Sequence, residues 1–353
     1  MDRATEGGGA SERMVPPTRV ILEQARPRGL RSARVAWVVA AVAVAVALAS
    51  AAANARYFQR DAALGETWHS LSRTAPSKIA IVDVAGAILG EGFATAQLEQ
   101  VRRDPAVKAL VLRIDSPGGT VSGSDEIHER IRRLLADRDL PVVVSMGGIA
   151  ASGGYYVAMA NAGRDDVIFA EPATLTGSIG VIIPHFDVSR LLERFDVADD
   201  SVTSGPLKEM LSPTKARDPG LAAREREVLQ SLVDDMFARF KEIVRAGRPK
   251  LDGAALEQVA TGQVFTARQA LEAGLVDRIG FLDDAIARSV ELAGLTERTA
   301  RVVRYQRPKS LAEGLLGIDA PTARGPWQSF AELTTPRAWY LCSWWPALVA
   351  SGG

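Results

Sequence analysis

The sequence is short of the residues that commonly build disulfide frameworks and metal sites. Its 353 residues include one cysteine, Cys342, and three histidines. A single cysteine excludes an intrachain disulfide, and it also excludes a Cys-x-x-Cys metal or redox site. The fold must therefore be stabilised by its apolar core, and chemistry that needs an imidazole has few candidates.

A net charge of either sign is also missing. Lysine and arginine together number 42, as do aspartate and glutamate, so the formal net charge is zero. Without a basic excess, nothing in the sequence predicts a nucleic acid as a partner. Hydrophobic residues make up 47% of the chain and charged residues 24%, which is typical of a globular protein.

The N-terminal region has the pattern of a membrane anchor. Residues 1–34 are rich in Gly, Pro and Arg and lack apolar periodicity, which predicts a disordered cytoplasmic tail. Residues 35–55 carry no charge and are long enough to span a bilayer, which needs about 20 residues. Arginines crowd the N-terminal side of this run: Arg26, Arg28, Arg31 and Arg34. They predict a single-pass anchor in the cytoplasmic membrane, with the N-terminus inside and the bulk of the chain outside.

A cleavable signal peptide is the alternative to an anchor. Ala53-Asn54-Ala55 fits the small-x-small pattern of a cleavage site. The long basic tail and the length of the apolar run favour an uncleaved anchor instead. Both interpretations place the bulk of the chain outside the cytoplasm.

The remainder of the chain alternates between strand and helix patterns. After a polar connector at residues 56–76, short Val- and Ile-rich runs bounded by turn residues predict buried strands. These runs are Ile79–Val84, Ala109–Ile114, Val142–Ser145 and Val167–Ala170. Helical spacing lies between them, and Ser122 is the expected N-cap of one helix. The alternation predicts an α/β domain over residues 77–303 with a largely parallel sheet.

The longest predicted helix runs from Pro219 to Ala246. Asp218 is suited to the N-cap, Pro219 to the first helical position and Gly247 to the exit. Its apolar stripe predicts packing in the core or at a subunit interface. Residues 304–353 form a C-terminal extension, and its Trp- and Tyr-rich end predicts docking either on the membrane or on the protein's own surface.

Two glycine-rich joints could carry chemistry. In Arg113–Gly119 a strand runs into a Pro-Gly-Gly turn, which can expose backbone N–H groups on one side. In Met146–Tyr156, Ser152 has a small-x-Ser-x-Gly setting that is similar to a nucleophile elbow. The N–H groups of Gly119 and Gly153 could then hold an oxyanion. The same residues also suit ordinary strand-to-helix joints, so the motifs alone leave both interpretations open.

A serine nucleophile needs a base, and two residues are candidates. His185 follows an expected strand at Ile179–Ile183. Lys208 lies between turn residues and apolar side chains in Ser204–Pro213. A free lysine has a pKa of about 10.4, but burial can lower it to about 7–8. The residues alone favour neither candidate.

Taken together, these segments resemble the signal peptide peptidase A family, in its short membrane-anchored form, within the Clp-protease/crotonase superfamily. The resemblance runs from about Lys78 to Val303 and rests on blocks in a fixed order. The blocks are Ile79–Gly86, Asp115–Gly119, Ala150–Tyr156, Thr176-Gly177-Ser178-Ile179-Gly180-Val181 and Ser204–Pro213, followed by Gly262–Asp277.

The resemblance implies a fold, an activity and roles for particular residues. The fold would be built from repeated ββα units and would assemble into a ring-shaped homo-oligomer. Ser152 would be the nucleophile and Lys208 the general base, with Gly119 and Gly153 at the oxyanion positions and Ser178 orienting the lysine amine. No metal or cofactor is implied, and the substrates would be remnant signal peptides and other short hydrophobic peptides.

Two other functions fit the same segments. A non-proteolytic membrane scaffold would use the glycine turns for folding alone. A crotonase-like enzyme would use the oxyanion geometry to polarise an acyl-CoA thioester, although the sequence offers no evident adenine- or pyrophosphate-binding cluster.

Overall fold

The structure is a computed structural model that describes residues 37–44, 64–90, 92–216, 218–251, 253–306 and 339–341. The chain divides into two units, Met1–Ala62 and Ala63–Gly353. In the first unit, residues 37–44 form a helical segment, α1, inside the expected anchor, and the rest of that anchor lies outside the described residues. Among the residues described, no helix combines the length and apolarity that crossing a bilayer requires.

The second unit alternates strands and helices along the chain. The strands are β1 (Gly65–Leu71), β2 (Ser77–Ala85), β3 (Val107–Ser116), β4 (Gly118–Thr120), β5 (Val142–Ala151), β6 (Ile168–Ala170), β7 (Leu175–Gly177), β8 (Val264–Thr266), β9 (Arg278–Ile279), β10 (Ala300–Gln306) and β11 (Trp339–Leu341). The helices are α2 (Phe93–Arg103), α3 (Val121–Arg138), α4 (Gly153–Ala158), α5 (Ser189–Glu193), α6 (Pro219–Gly247), α7 (Gly253–Val259), α8 (Ala267–Glu272) and α9 (Leu282–Leu292).

The main sheet is largely parallel, as the sequence predicts. Its order is β1-β10-β2-β3-β5-β6-β9, with β7 paired to β5 and β8 paired to β7. Only β1–β10 and β7–β8 are antiparallel among these pairs of the described chain. A strand that is covered on both faces has no side that faces water, so its sequence is a continuous apolar run. The central segments Ile79–Val82 and Leu110–Leu112 are such runs, and both are fully buried.

Helices cover the sheet and position its carboxyl-terminal joints. Helix α9 contacts β3, β5 and β6, whereas α2 contacts β2 and α3. Helix α4 contacts β5, β3 and α3. The short helix that follows β5 is therefore packed between the centre of the sheet and a long neighbouring helix.

The segment at residues 56–76, expected to be a connector, contains a strand. Strand β1 pairs antiparallel with β10 at the edge of the sheet, from Gly65 opposite Gln306 to Leu71 opposite Arg301. Polar and apolar residues do not alternate regularly along β1, so the sequence pattern did not predict an edge strand here. Its partner is more than 200 residues away in sequence, which no local pattern could indicate.

Two local predictions are wrong. Helix α3 is capped by Thr120, whose hydroxyl accepts a hydrogen bond from Gly123 N at 3.1 Å, and not by Ser122. The expected strand at Ile179–Ile183 is absent, because the strand of this region, β7, ends at Gly177. Gly177 has φ +80° and Ser178 has φ +52°, and these left-handed conformations turn the chain out of the sheet.

Helix α6 begins as predicted and ends at Gly247. The Asp218 side chain caps it by accepting hydrogen bonds from Gly220 N at 2.9 Å and Leu221 N at 3.1 Å. Phe240 and Ile243, near its C-terminal end, are buried, whereas Leu232 is 44% exposed. The final turns of α6 therefore belong to the core, and its earlier apolar residues lie partly on the surface.

A second, two-stranded sheet lies beside the turn that follows β3. Strand β4 pairs antiparallel with β11, with Gly119 opposite Tyr340. On its other edge β4 contacts Ile88 through an isolated parallel bridge. The Pro-Gly-Gly turn is thus a short strand with chain on both sides.

Candidate active site

Ser152 lies at the joint where the chain leaves β5 and enters α4. Its backbone has φ +54° and ψ −114°, a conformation that residues other than glycine rarely adopt. Such strain costs about 1–3 kcal/mol and persists only where the surrounding structure holds it. Here Ser152 N donates to Gly177 O at 2.8 Å, and Ser152 O accepts from Tyr156 N at 2.8 Å. The sheet and the helix therefore fix this serine from both sides.

The hydroxyl of Ser152 is buried but unpaired. The residue is 1% exposed, and its Oγ has no hydrogen-bond partner among the described residues. Leaving a buried hydroxyl unpaired costs about 1–3 kcal/mol. Backbone strain and an unpaired hydroxyl at one residue are the features expected of a reactive group kept ready for a substrate.

The two glycines expected at the oxyanion positions lie against each other. A Cβ added to Gly153 would lie 3.1 Å from Gly119 N and 3.1 Å from Gly118 Cα, and it would overlap Ser124 Oγ. Gly153 is the first residue of α4, and the first N–H groups of a helix have no intrahelical partner. The structure thus brings Gly119 together with the residue that follows Ser152, although 34 positions separate the two glycines in sequence.

The turn that carries Gly119 is held by contacts that the sequence analysis missed. Ser116 Oγ donates to Gly86 O at 2.6 Å and accepts from Gly118 N at 3.1 Å. Ile88 N donates to Gly118 O at 2.9 Å, and Thr120 N donates to Ile88 O at 2.7 Å. Ser116 belongs to the Asp115–Gly119 block, so the sequence could have indicated its role in holding the turn. No sequence pattern pointed to Ile88.

Ser178 lies next to the joint that carries Ser152. It directly follows Gly177, whose carbonyl accepts from Ser152 N, and it is 6% exposed. Ser178 N donates to Gln263 O at 2.7 Å, which ties this loop to the chain before β8. The Thr-Gly-Ser block and the Ser152 block are therefore neighbours in space.

Lys208 is in a different kind of environment. It is exposed, and its backbone N donates to Gly205 O at 3.1 Å within a run of turns. Nearby, Glu209 forms an ion pair with Lys215 at 2.7 Å. No hydrogen bond joins Lys208 to Ser152, whose hydroxyl is unpaired in the described part of the chain. Within the described chain, the expected base and the expected nucleophile are therefore not joined by a hydrogen bond.

Neither His185 nor His128 makes a hydrogen bond to Ser152 in the described chain. His185 is exposed and makes no hydrogen bond to Ser152. His128 is 5% exposed on α3, where its ring packs edge-on against Tyr156 with centroids 5.4 Å apart. Burial lowers the pKa of His128 to about 4, with an opposing, smaller effect from the nearby Asp125 carboxylate. A histidine that stays neutral inside the core is a packing residue.

Within the ranges that the structure describes, no three His, Cys, Asp or Glu side chains converge in a way that could hold a metal ion. The groups that the structure places together at this site include the Ser152 hydroxyl and the backbone N–H groups of Gly119 and Gly153.

Comparison with known proteins gives the family. Residues 135–296 match peptidase family S49. A protein of Synechocystis sp. that is named as a protease is 40% identical over 245 residues, which cover 69% of this chain and 84% of that protein. The chain belongs to peptidase family S49. The matched residues contain Ser152, Ser178 and Lys208, and they begin after Gly119.

Other S49 relatives share a similar stretch. A protein of Enterococcus faecium that is named as a signal peptide peptidase SppA is 36% identical, over 68% of this chain and 66% of that protein. The chloroplastic serine protease SPPA of Arabidopsis thaliana is 35% identical, over 63% of this chain and 32% of that longer protein. This S49 chain is accordingly a serine-type peptidase, which favours peptide hydrolysis over the scaffold and acyl-CoA hypotheses.

Proposed function

We propose that the chain is a membrane-anchored endopeptidase that cleaves remnant signal peptides and other short hydrophobic peptides, with Ser152 as nucleophile and Lys208 as general base. The observation that carries this proposal is the buried, unpaired hydroxyl of Ser152 on a strained backbone beside Gly119 and Gly153. The fold proposed for it is the Clp-protease/crotonase-like arrangement of repeated ββα units.

The proposed reaction proceeds through an acyl-enzyme. The Lys208 amine takes the hydroxyl proton while Ser152 Oγ attacks the peptide carbonyl carbon, and the N–H groups of Gly119 and Gly153 stabilise the resulting oxyanion. The intermediate collapses, the C–N bond breaks, and the leaving amine takes the proton from the lysine ammonium. A water molecule activated by the same amine then hydrolyses the ester and restores Ser152. Ser178 orients the amine during both steps.

The proposed source of the lysine is a neighbouring subunit. A lysine acts as a base only when uncharged, and burial favours the uncharged form. Lys208 is exposed in the described subunit, and Ser152 has no hydrogen-bond partner there. Packing one subunit's Lys208 against another subunit's Ser152 would bury the amine and provide the missing partner in a single step.

Exposed apolar side chains near Lys208 support a ring-shaped homo-oligomer. Between β7 and α6, large hydrophobic residues are 39–98% exposed: Ile182, Phe186, Leu191, Phe195, Val197 and Val202. Exposed apolar side chains concentrated in one segment, particularly aromatic ones, are typical of protein–protein interfaces. The segment that carries the base is thus also the segment best suited to contact an adjoining subunit.

The membrane and substrate parts of the proposal rest on the sequence and on the relatives' names. Residues 35–55, preceded by the arginine cluster, favour a single-pass anchor with the catalytic domain outside the cytoplasm. Such an anchor places the site near peptides that remain in the membrane after secretion. Release of the full chain from membranes by alkaline carbonate would contradict the anchor.

Subunit complementation tests the shared site directly. Ser152→Ala and Lys208→Ala should each abolish hydrolysis of a fluorogenic apolar peptide. When the two variants are unfolded together and reassembled in equal amounts, about one quarter of the sites should combine an intact serine with an intact lysine, because subunits mix at random around a closed ring. About a quarter of the wild-type activity should then return.

The outcomes separate the alternatives for the base. Absence of recovery in mixed oligomers of normal size would show that the two residues do not meet across an interface. His185→Ala is the matched control, since the lysine mechanism predicts full activity for it. Loss of activity in His185→Ala, with Lys208→Ala active, would instead identify histidine as the base.

A further inference from the structure

Strand β5 contains a bulge shortly before the joint where it enters α4. In its pairing with β3, Ile114 lies opposite Met146, and the next matched pair is Ser116 with Ala150. One intervening residue of β3 therefore faces three residues of β5, residues 147–149. A bulge bends its strand and changes the direction of the side chains that follow, and bulges are frequent beside active sites.

The bulge is also the point at which β5 changes its other partner. Residues 144–146 of β5 pair with β6, whereas residues 149–151 pair with β7. The change brings the end of β7 beside the end of β5, where Gly177 O accepts the hydrogen bond from Ser152 N at 2.8 Å. The conformation of the bulge therefore decides which strand lies beside Ser152, and with it the place of Ser178.

Two side chains bind the backbone of the bulge. The Asp115 carboxylate accepts a hydrogen bond from Ile149 N at 3.0 Å. The hydroxyl of Thr174, which is fully buried, donates to Gly147 O at 2.6 Å. A Cβ added to Gly147 would lie 3.0 Å from Asp115 Cγ, so the carboxylate packs directly against the bulge. Backbone groups that a bulge takes out of the ladder need other partners, and these side chains provide them.

Asp115 is itself fixed by the centre of the sheet. Its backbone lies opposite Ala85 in the ladder between β2 and β3, and its carbonyl accepts from Gly86 N at 2.9 Å. The residue as a whole is exposed. A substitution of Asp115 therefore changes the support of the bulge without leaving a cavity in the apolar core.

We propose that Asp115 is a positioning residue for the peptidase reaction, whose carboxylate fixes the bulge of β5 and thereby orients Ser152. The inference rests on the proposed function, which makes Ser152 the nucleophile. Asp115 acts through the backbone of residues 147–149, and the proposal requires no contact between its side chain and the substrate. A reacting group must be held within about 0.5 Å of its productive position, so loss of this support slows the chemical step.

Three substitutions of Asp115 in the full-length chain separate the position of the acceptor from its charge. Asp115→Ala removes the acceptor. Asp115→Asn keeps a side-chain oxygen at the same distance from the backbone and removes the charge. Asp115→Glu keeps the charge and moves the acceptor by one CH2 group. Asp165→Ala is the matched control, because it removes a carboxylate that is 59% exposed and paired with Lys250 on the surface.

The expected result is a loss of kcat that depends on the position of the acceptor. For a fluorogenic apolar peptide, kcat should fall about 30-fold in Asp115→Ala and about tenfold in Asp115→Glu, with KM within about twofold of the wild-type value. Asp115→Asn should keep at least about half of the wild-type kcat, since its oxygen still accepts from Ile149 N. Asp165→Ala should match the wild type.

Hydrogen–deuterium exchange at single amides measures the bulge without reference to catalysis. The N–H groups of Ile149 and Ser152 should exchange about tenfold faster in Asp115→Ala than in the wild type, because the bulge that sets both hydrogen bonds is released. In Asp115→Asn both amides should stay protected. Unchanged exchange of Ile149 N–H in Asp115→Ala would show that the carboxylate does not hold the bulge.

The kinetic outcomes decide the role in the reaction. Wild-type kcat in Asp115→Ala would overturn the inference, and so would equal losses in Asp115→Ala and Asp115→Asn, because the charge would then be what matters. If Asp115→Ala does not fold, the comparison of Asp115→Asn with Asp115→Glu decides, and a higher kcat for Asp115→Glu contradicts the proposal. Full activity of Ser152→Ala would instead contradict the proposed function, and the exchange measurements would still report on the bulge.

Discussion

The joint around Ser152 and the segment around Lys208 are built in opposite ways. Ser152 lies between a central parallel strand and a buried helix, and hydrogen bonds to Gly177 and Tyr156 fix its backbone. Residues 182–216 contain one helix, the five-residue α5, and many of their side chains are exposed. The difference teaches that the sheet and helix α4 together fix the proposed nucleophile, whereas the position of the proposed base depends on what packs against an exposed segment.

The difference is also visible in the space around glycines. Near Ser152, a Cβ at Gly119 would overlap the backbone carbonyl of Ile88, and one at Gly153 would overlap Ser124 Oγ. Near Lys208, a Cβ at Gly205 would meet no atom within 4 Å. The joint around Ser152 therefore requires close approach of backbone segments, whereas the segment around Lys208 does not.

The largest effect is expected for Gly119→Ala. The added methyl group cannot avoid the Ile88 backbone, so the turn must move. We expect the free energy of unfolding to fall by about 3 kcal/mol or more. Peptide hydrolysis should fall at least about 100-fold, because the proposed oxyanion donor is displaced. Urea unfolding and a peptidase assay measure the two losses.

Gly205→Ala is the matched substitution on the other side of the comparison. It should change the free energy of unfolding by no more than about 0.5 kcal/mol, because the added methyl group meets no neighbouring atom. Equal losses for the two glycines would show that the regions do not differ in the tightness of their packing.

The next largest effect is expected on acidification. His128 packs against Tyr156 of helix α4, close to the joint around Ser152. Burial lowers the pKa of His128 from 6.5 to about 4. Because the unfolded chain binds the proton more readily, stability is fully present above pH 6.5 and is lost as the pH falls from 6.5 towards 4. The loss should reach up to about 3 kcal/mol. Urea unfolding between pH 7 and pH 4 should show it.

His128→Phe keeps a ring in place and removes the titrating group, so it should flatten this part of the pH dependence. His185→Gln, which changes an exposed histidine in the other region, is the control and should leave the curve as in the wild type. A wild-type slope in His128→Phe would assign the acid sensitivity to other groups.

The smallest effect on the folded subunit is expected from the exposed apolar segment. Phe186 is 79% exposed and Phe195 is 71% exposed. The double substitution Phe186→Ser/Phe195→Ser should leave the free energy of subunit unfolding within about 0.5 kcal/mol. It should also produce smaller assemblies in sedimentation velocity and reduce peptide hydrolysis about tenfold or more, because the site would lose its second subunit.

Phe281→Ser is the matched control, since Phe281 is 56% exposed at the start of α9, outside the Lys208 segment. Assembly should be unchanged in this variant. If Phe186→Ser/Phe195→Ser keeps both its assembly size and its activity, the exposed segment is not the interface that completes the site.

The sequence alone determined the elements whose signals are local. Apolar runs located β2, β3 and β5, and Asp218 followed by Pro219 located the start of α6, because strand burial and helix capping leave patterns within a few residues. Residue types and their order also marked Ser152 and its glycine neighbours as candidates.

Only the tertiary structure decided which distant residues meet. It placed Gly119 beside Gly153, bonded the Gly119 turn to Ile88 and Ser116, buried His128, and laid β11 on β4. It also left Lys208 exposed and without a hydrogen bond to Ser152 in the described part of the chain. Pairing in a parallel sheet joins segments that are far apart in sequence, and the energy of each contact depends on the whole packed core, so no local pattern encodes it.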